Sequence, residues 1–302
     1  MTDRSGRDGE AIYHLPALPE EVVGLLALRP GAVAVDVTLG GGGHAELMLK
    51  SSGPDGILIG TDRDADAIEE AADRLAWAGE RAILERARMS DIAGVLSKLD
   101  VDGVDAILAD LGVSSYQLDE ASRGFSIRND GPLDMRMDGD GGETAADLIA
   151  RSSAEELEGV FRDFGEERYA RRIARAVAGR SDIATTGELA EAVERAVPRT
   201  GRGRIHPATR IFQALRIAVN DELGQLRDFL DTAPELLRPG GRMAVISYHS
   251  LEDRMVKRAF RSLASEGGYE ILTKRPVRPK EDEVGKNPRA RSAKLRGLRR
   301  CA

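Results

Sequence analysis

The sequence predicts an α/β protein with a doubly wound, mostly parallel sheet interrupted by an inserted helical domain. Three observations predict it. Short β-type runs alternate with helical patterns over the first 115 residues, β-type runs then vanish, and a strong one returns at Met243–Ser247. Strands alternating with helices imply right-handed βαβ units and a parallel sheet covered on both faces. Ligands of such sheets bind at the carboxyl ends of the strands.

Each element has a local reason. Ala32–Val37 (AVAVDV) is a buried strand after the turn Arg29-Pro30-Gly31. Ile57–Thr61 is a second strand, Ala65–Ala78 a helix, and Ala82–Glu85 a weaker third strand. Val104–Asp110 (VDAILAD) is a fourth, ending in an acid. Residues 117–142 are a Gly/Asp-rich loop without a period, and Ala154–Ala178 and Thr186–Val197 are helices with no strand between them. Pro207–Leu230 is a long amphipathic helix, because Ile211, Phe212, Leu215, Ala218, Val219, Leu223, Leu226 and Leu230 recur at helical spacing and Pro207 suits a first turn. Residues 1–116 and 214–302 then form a discontinuous sheet domain, and residues 117–213 an inserted helical domain.

Composition narrows the function. The 302 residues suffice for about two domains. A lone cysteine, Cys301, excludes an intrachain disulfide framework, and the four histidines are dispersed, so no metal is expected. The polar Met1–Glu10 stretch lacks a signal-peptide core, and no apolar run approaches the roughly 20 residues of a membrane span. A cytoplasmic protein is expected. The net charge of −7 argues against nucleic acid only as an average: residues 254–302 carry 15 Lys+Arg against 5 Asp+Glu. The remainder is therefore strongly acidic. A second basic cluster (Arg195, Arg199, Arg202, Arg204, His206, Arg210) lies in a Gly/Pro-punctuated stretch. Charge runs are usually solvated faces, yet two of them leave room for an anionic partner.

The strongest local signal is Asp36-Val-Thr-Leu-Gly-Gly-Gly-Gly-His44, directly after the first strand. No Gly-Lys-Ser/Thr follows, which excludes a Walker phosphate loop. Gly40, Gly42 and Ala45 fit a dinucleotide fingerprint, with Asp62 about 20 residues on for ribose hydroxyls, so an NAD-dependent oxidoreductase is one reading. Asp36 favours another. An anion at the end of the first strand gives nothing to a pyrophosphate, but it attracts the ammonium or sulfonium of S-adenosylmethionine. Asp62 can accept hydrogen bonds from a ribose diol. Asp110, opening Asp110-Leu-Gly-Val-Ser-Ser-Tyr-Gln117, can orient an exocyclic amine and take its proton. Alone, each acid reads more simply as a turn or cap residue, as do Ser114 and Ser115.

These residues resemble the bacterial 16S rRNA (cytosine-N4)-methyltransferase family over nearly the whole chain. The similarity runs through Asp36–His44, Asp62-Arg-Asp, Asp105–Asp119, Arg123-Gly-Phe-Ser, Asp130-Gly-Pro-Leu-Asp-Met-Arg-Met137 and Gly165-Glu-Glu-Arg168. It continues in His206-Pro-Ala-Thr-Arg210, Phe212-Gln-Ala-Leu-Arg216, Ser247–Arg254 and Asn287-Pro-Arg-Ala-Arg291. The resemblance implies a class I methyltransferase fold acting on the exocyclic N4 of a decoding-region cytidine, with the small ribosomal subunit as partner. It implies a cofactor site of Gly42, Gly43, His44, Asp62, Met89, Asp110 and Gln117, to which the strand-end position adds Asp36. Met89 stands where the family usually has an aromatic residue, Ala45 replaces a common Ser/Thr, Tyr116 a frequent Pro, and Ala17 a frequent Val in the His14–Glu21 stretch. Arg199, Arg202, Arg204, Arg210, Arg254, Arg289 and Arg291 are the expected RNA contacts, and a homodimer is one possible assembly. Asp110 is the expected orienting group and proton acceptor. Ser250 reads as a helix N-cap with Asp253 as its box partner. Asp130–Met137 reads as an ion-paired loop or an RNA-contacting lid. An amino-methyltransferase acting on DNA or protein is a further alternative.

Overall fold

The structure, a computed structural model, describes residues 15–198 and 206–302. Met1–Glu10, His14, Arg199, Arg202 and Arg204, singled out in the sequence, lie outside the described residues. The first half alternates as the sequence implies: α1 (Pro19–Leu26), β1 (Val33–Asp36), α2 (Gly43–Ser51), β2 (Ile57–Asp62), α3 (Ala65–Leu75), β3 (Ala82–Arg86), α4 (Ile92–Lys98) and β4 (Val104–Asp110). Among the described residues seven α-helices follow: α5 (Ser115–Asp119), α6 (Ala145–Arg151), α7 (Ala154–Asp163), α8 (Ala170–Val177), α9 (Thr186–Ala196), α10 (Thr209–Asn220) and α11 (Glu222–Thr232). The chain then returns to the sheet through β5 (Leu237–Ser247), α12 (Ser250–Glu266), β6 (Tyr269–Ile271), α13 (Glu281–Lys286) and β7 (Lys294–Arg300).

The strands form one seven-stranded sheet in the order β3-β2-β1-β4-β5-β7-β6. Pairing is parallel from β3 to β5, and β7 runs antiparallel to both β5 and β6. The order reverses between β1 and β4, with Asp36 opposite Leu108, which opens a crevice at their carboxyl ends. Alternate strand residues feed two cores: Ala34, Leu58, Leu108 and Ile246 face α1, α2 and α3, whereas Val35, Ile59, Ile107 and Val245 face α4, α11 and α12. A third core, spanning Phe125 to Leu215, holds the inserted helices together.

Several local expectations need correction. The helix expected over Ala154–Ala178 is two, because α7 and α8 are separated at Gly165, whose missing side chain lets the Arg210 carbonyl of α10 approach; a Cβ there would lie 2.7 Å from that oxygen. The helix expected over Pro207–Leu230 starts at Thr209 and breaks at Asp221, which sits in the left-handed region (φ 48°, ψ 41°). The expected loop over residues 117–142 contains most of α5, and Leu133, Met135 and Met137 bury alternate side chains in the third core. The N-cap of α12 is His249, with Glu252 completing the capping box, not Ser250 with Asp253.

The basic C-terminal stretch hides two strands. In β7, Leu295 faces one core and Leu298 the other, so both faces are covered and no polar-apolar alternation marks the strand. Its cations are pins: Arg296 donates to Asp253 at 2.7 Å, Arg299 pairs with Glu270, and Arg300 donates to the carbonyls of Glu235 and Leu237.

Candidate active site

The crevice above β1 and β4 is a cavity of about 580 Å³. Strand ends supply its acids. Asp36 ends β1 and is buried, with Oδ1 accepting from the Thr38 amide at 3.1 Å. Thr38 in turn accepts the backbone N–H of Asp110 at 2.6 Å, lacing the ends of β1 and β4 together. Asp62 ends β2, and its two oxygens accept the Gly40 and Asp64 amides at 2.9 and 3.0 Å. Each oxygen keeps a further lone pair for a hydroxyl from the cavity.

The glycine run turns β1 into α2. Gly42 is the N-cap of α2 at φ +76°, a conformation that side chains resist. It packs on Ala71 and Arg74 instead of lining the cavity, whereas Gly40, Gly41, Gly43 and His44 do line it. Of the expected cofactor residues, Gly43, His44, Asp62, Met89, Asp110, Gln117 and Asp36 all meet at this one cavity. Gln117, however, is already committed. Its side chain completes the capping box of α5 with Ser114 and donates to Asp64 at 2.7 Å. Arg123 reaches the same Asp64 at 2.8 Å and also donates to the carbonyls of Arg136 and Met137. That network ties the Asp130–Met137 segment to the start of α3.

Asp110 stands at the end of β4 with both oxygens addressed. Oδ1 accepts from the Tyr248 hydroxyl at 2.9 Å, and Oδ2 lies 3.6 Å from Nε2 of the buried His44. Neither ring nitrogen of His44 has a hydrogen-bond partner among the described residues. Burial lifts the Asp36 carboxyl from 3.8 to about 6 against the pull of His44, with Asp110 and Asp62 pushing the same way. Burial also raises Asp62. Burial and the adjacent Asp110 raise the Tyr248 phenol well above its ordinary value, so it remains a donor. A cavity floor of three carboxylates and an unpartnered imidazole suits a ligand carrying positive charge and a ribose diol. The donor set therefore fits S-adenosylmethionine.

A second charged group lines the wall beyond Tyr248. Arg216 of α10 forks onto Glu222 of α11, Nε to Oε1 at 2.7 Å and Nη2 to Oε2 at 2.9 Å. Glu252 is buried nearby and accepts the Tyr248 and His249 amides. Burial opposes its charge, but His249 and Arg216 hold its pKa below the ordinary value. Glu222, His249 and Glu252 offer ligand atoms within 4.8 Å of one another, yet the guanidinium already occupies both Glu222 oxygens. Sequence reasoning missed Tyr248, Arg216, Glu222 and Asn220. The available signal was Arg216 and Asn220 standing among Phe212, Leu215 and Val219 on the apolar stripe of the helix.

The expected RNA contacts that the structure describes are exposed but mostly engaged. Arg210 donates to the Glu166 carbonyl, Arg254 pairs with Glu166 at 3.1 Å, and Arg289 with Asp119 at 2.5 Å; Arg291 is exposed.

A switch-point crevice with a glycine turn and strand-end acids defines an α/β enzyme that binds a nucleoside-bearing cofactor. The chain belongs to the MraW methylase family, whose model matches residues 11–301. It is 52% identical over 310 residues to the Ribosomal RNA small subunit methyltransferase H of Syntrophotalea carbinolica, covering 96% of this chain and 99% of that protein. It is also 52% identical over 302 residues to the protein of the same name from Geobacter sulfurreducens, covering 94% and 97%.

Proposed function

We propose that this protein transfers a methyl group from S-adenosylmethionine to the exocyclic N4 of a cytidine in the decoding region of 16S rRNA. The observation that carries the reading is Asp110. Its carboxylate stands at the switch point with one oxygen held by Tyr248 and the other beside His44. S-adenosylmethionine supplies an electrophilic methyl on sulfur when bound. Asp36 and His44 would face its cationic amino-acid end, Asp62 its ribose hydroxyls, and Met89 would pack on its adenine. Asp110 would accept an N4–H of the cytosine, point the nitrogen at the methyl, and receive the proton released as the N–C bond forms and the methyl–sulfur bond breaks, with S-adenosylhomocysteine as the leaving group. A base must leave its stack to enter, which looped rRNA permits at lower cost than a duplex.

The rivals fare worse. A dinucleotide would set its pyrophosphate against the carboxylate of Asp36. DNA or protein as acceptor has no support in the names of the relatives. Residues 117–213 serve as the substrate-recognition part in this reading, with Arg199, Arg202, Arg204, Arg210, Arg254, Arg289 and Arg291 as candidate phosphate contacts. The protein works in the cytoplasm on the small ribosomal subunit. No helix among the described residues is long and apolar enough to cross a membrane.

Nucleoside mass spectrometry of 16S rRNA from cells with and without the protein tests the reading. Loss of N4-methylcytidine on deletion and its return on complementation are expected. Unchanged rRNA, or labelled methyl going only to DNA or protein, would overturn it.

A further inference from the structure

Arg216 has a third nitrogen to offer. Its Nε and Nη2 are fixed by Glu222, while Nη1 makes no hydrogen bond to any described residue. Glu222 and Glu252 outweigh burial and raise the guanidinium pKa further, so the group is a permanent donor. The fork holds the plane of the guanidinium still, so Nη1 is presented at a fixed place in the cavity wall.

Arg216 and Asp110 line the same cavity. Gly112, two residues on, sits at φ +102°, where a Cβ would lie 3.7 Å from Tyr248 Cδ2 and 4.0 Å from Arg216 Nη1. Glycine thus leaves a gap bounded by the tyrosine ring on one side and the arginine donor on another. The same tyrosine donates its hydroxyl to the Asp110 carboxylate at 2.9 Å. The slot therefore offers an acceptor, an aromatic edge and a donor.

We propose that Arg216 reads the base: Nη1 donates to N3 and O2 of the target cytosine while Asp110 accepts from its N4 amine. This inference rests on the proposed methyl transfer and adds what selects the pyrimidine. Cytosine presents donor, acceptor, acceptor along its pairing edge and matches the slot. Uracil presents an acceptor to Asp110 and an N3–H to Arg216, and is mismatched at two of three positions. A buried site built for one pattern rejects the other because its own polar groups are left unpaired.

The test is a titration of the full-length protein, saturated with S-adenosylhomocysteine, with three nucleotides followed by NMR. They are cytidine 5′-monophosphate, uridine 5′-monophosphate and the 3-deaza analogue of the cytidine nucleotide, which lacks only the N3 acceptor. Cytidine monophosphate is expected to bind at least about tenfold more tightly than either of the others. The double variant Arg216→Met/Glu222→Gln, which removes both charges together, is expected to bind all three alike while retaining S-adenosylhomocysteine. Equal binding of the three by wild-type protein, no binding of any, or discrimination kept by the double variant would each overturn the inference. If the variant fails to fold, the wild-type comparison of cytidine with its 3-deaza analogue still decides. Transfer to 16S rRNA is assayed on the same wild-type preparation. Active protein without base discrimination sinks only the role of Arg216, whereas absent transfer sinks the proposed function itself.

Discussion

Arg216 and Glu222 stand six residues apart and meet as a two-pronged ion pair, at 2.7 and 2.9 Å. In an unbroken helix, positions six apart lie on different faces. The pair exists because Asp221 between them adopts a left-handed conformation, ending α10 and redirecting α11 so that Glu222 turns back. With the two side chains only 16% and 10% exposed, breaking the pair strands a buried charge. Glu222→Ala is expected to lower unfolding free energy by about 3 kcal/mol. Arg86→Ala, which removes an exposed pair with Asp138 and Asp140, should cost less than about 1 kcal/mol. Urea midpoints of the two variants provide the comparison, and similar losses would contradict the assignment.

Asp110→Asn should leave the fold intact and slow methyl transfer by at least about tenfold, since the amide neither takes a proton nor carries charge. The substitution leaves an oxygen for Tyr248. Cofactor affinity must be titrated alongside the rate, because the same residue lines the cavity. Wild-type turnover would remove Asp110 from the mechanism.

Asp36 sets a pH dependence. Its carboxyl titrates at about 6 in the fold against 3.8 ordinarily, so the folded state holds this proton more tightly than the unfolded chain. The stability it contributes is fully present below about pH 4 and is lost as pH rises through 6, a difference of about 3 kcal/mol. Asp36→Asn should therefore match wild type at pH 4 and exceed it in denaturant midpoint at pH 7.5. Cofactor affinity is expected to move the opposite way, falling in the variant because the cation loses its partner. Parallel stability profiles across this range would refute the assignment.

Asn220 ties α10 to the Met135–Met137 segment. It accepts from the Met137 amide at 2.8 Å and donates to the carbonyls of Met135 and Arg216. Asn220→Ala leaves a buried N–H without a partner and should cost about 2 kcal/mol. Hydrogen exchange is expected to quicken at Met137 first. Uniform acceleration throughout the sheet would mean a global effect instead.

Strands flanked by turn residues were legible in the sequence because their apolar runs are short and bounded. The acids at the ends of β1, β2 and β4 followed once those strands were placed. What escaped depends on tertiary contact. The break at Asp221 carries no glycine or proline, since aspartate tolerates the left-handed region. Strand β7 reads as a basic tail until Asp253 and the Glu235 and Leu237 carbonyls are there to receive its arginines. Tyr248 sits in a motif visible in the sequence, but its partner Asp110 comes from a distant strand. Gln117 carries a role its place in the sequence does not show: it lines the cavity while its amide oxygen caps α5 and its amide N–H reaches Asp64.

The hydrogen bond between Asp110 and Tyr248 spans 138 residues of chain. In kinetic terms it is a ring closure. The entropy of bringing two ends together grows only logarithmically with the loop, by about 0.6 kcal/mol per doubling, but it must be met before the contact returns anything. An insertion that first condenses on its own core replaces a long flexible loop by the short gap between its ends. The helices of the third core are therefore expected to set the speed at which the site forms. Damage to that helical core would surface as slow maturation well before it surfaced as altered chemistry.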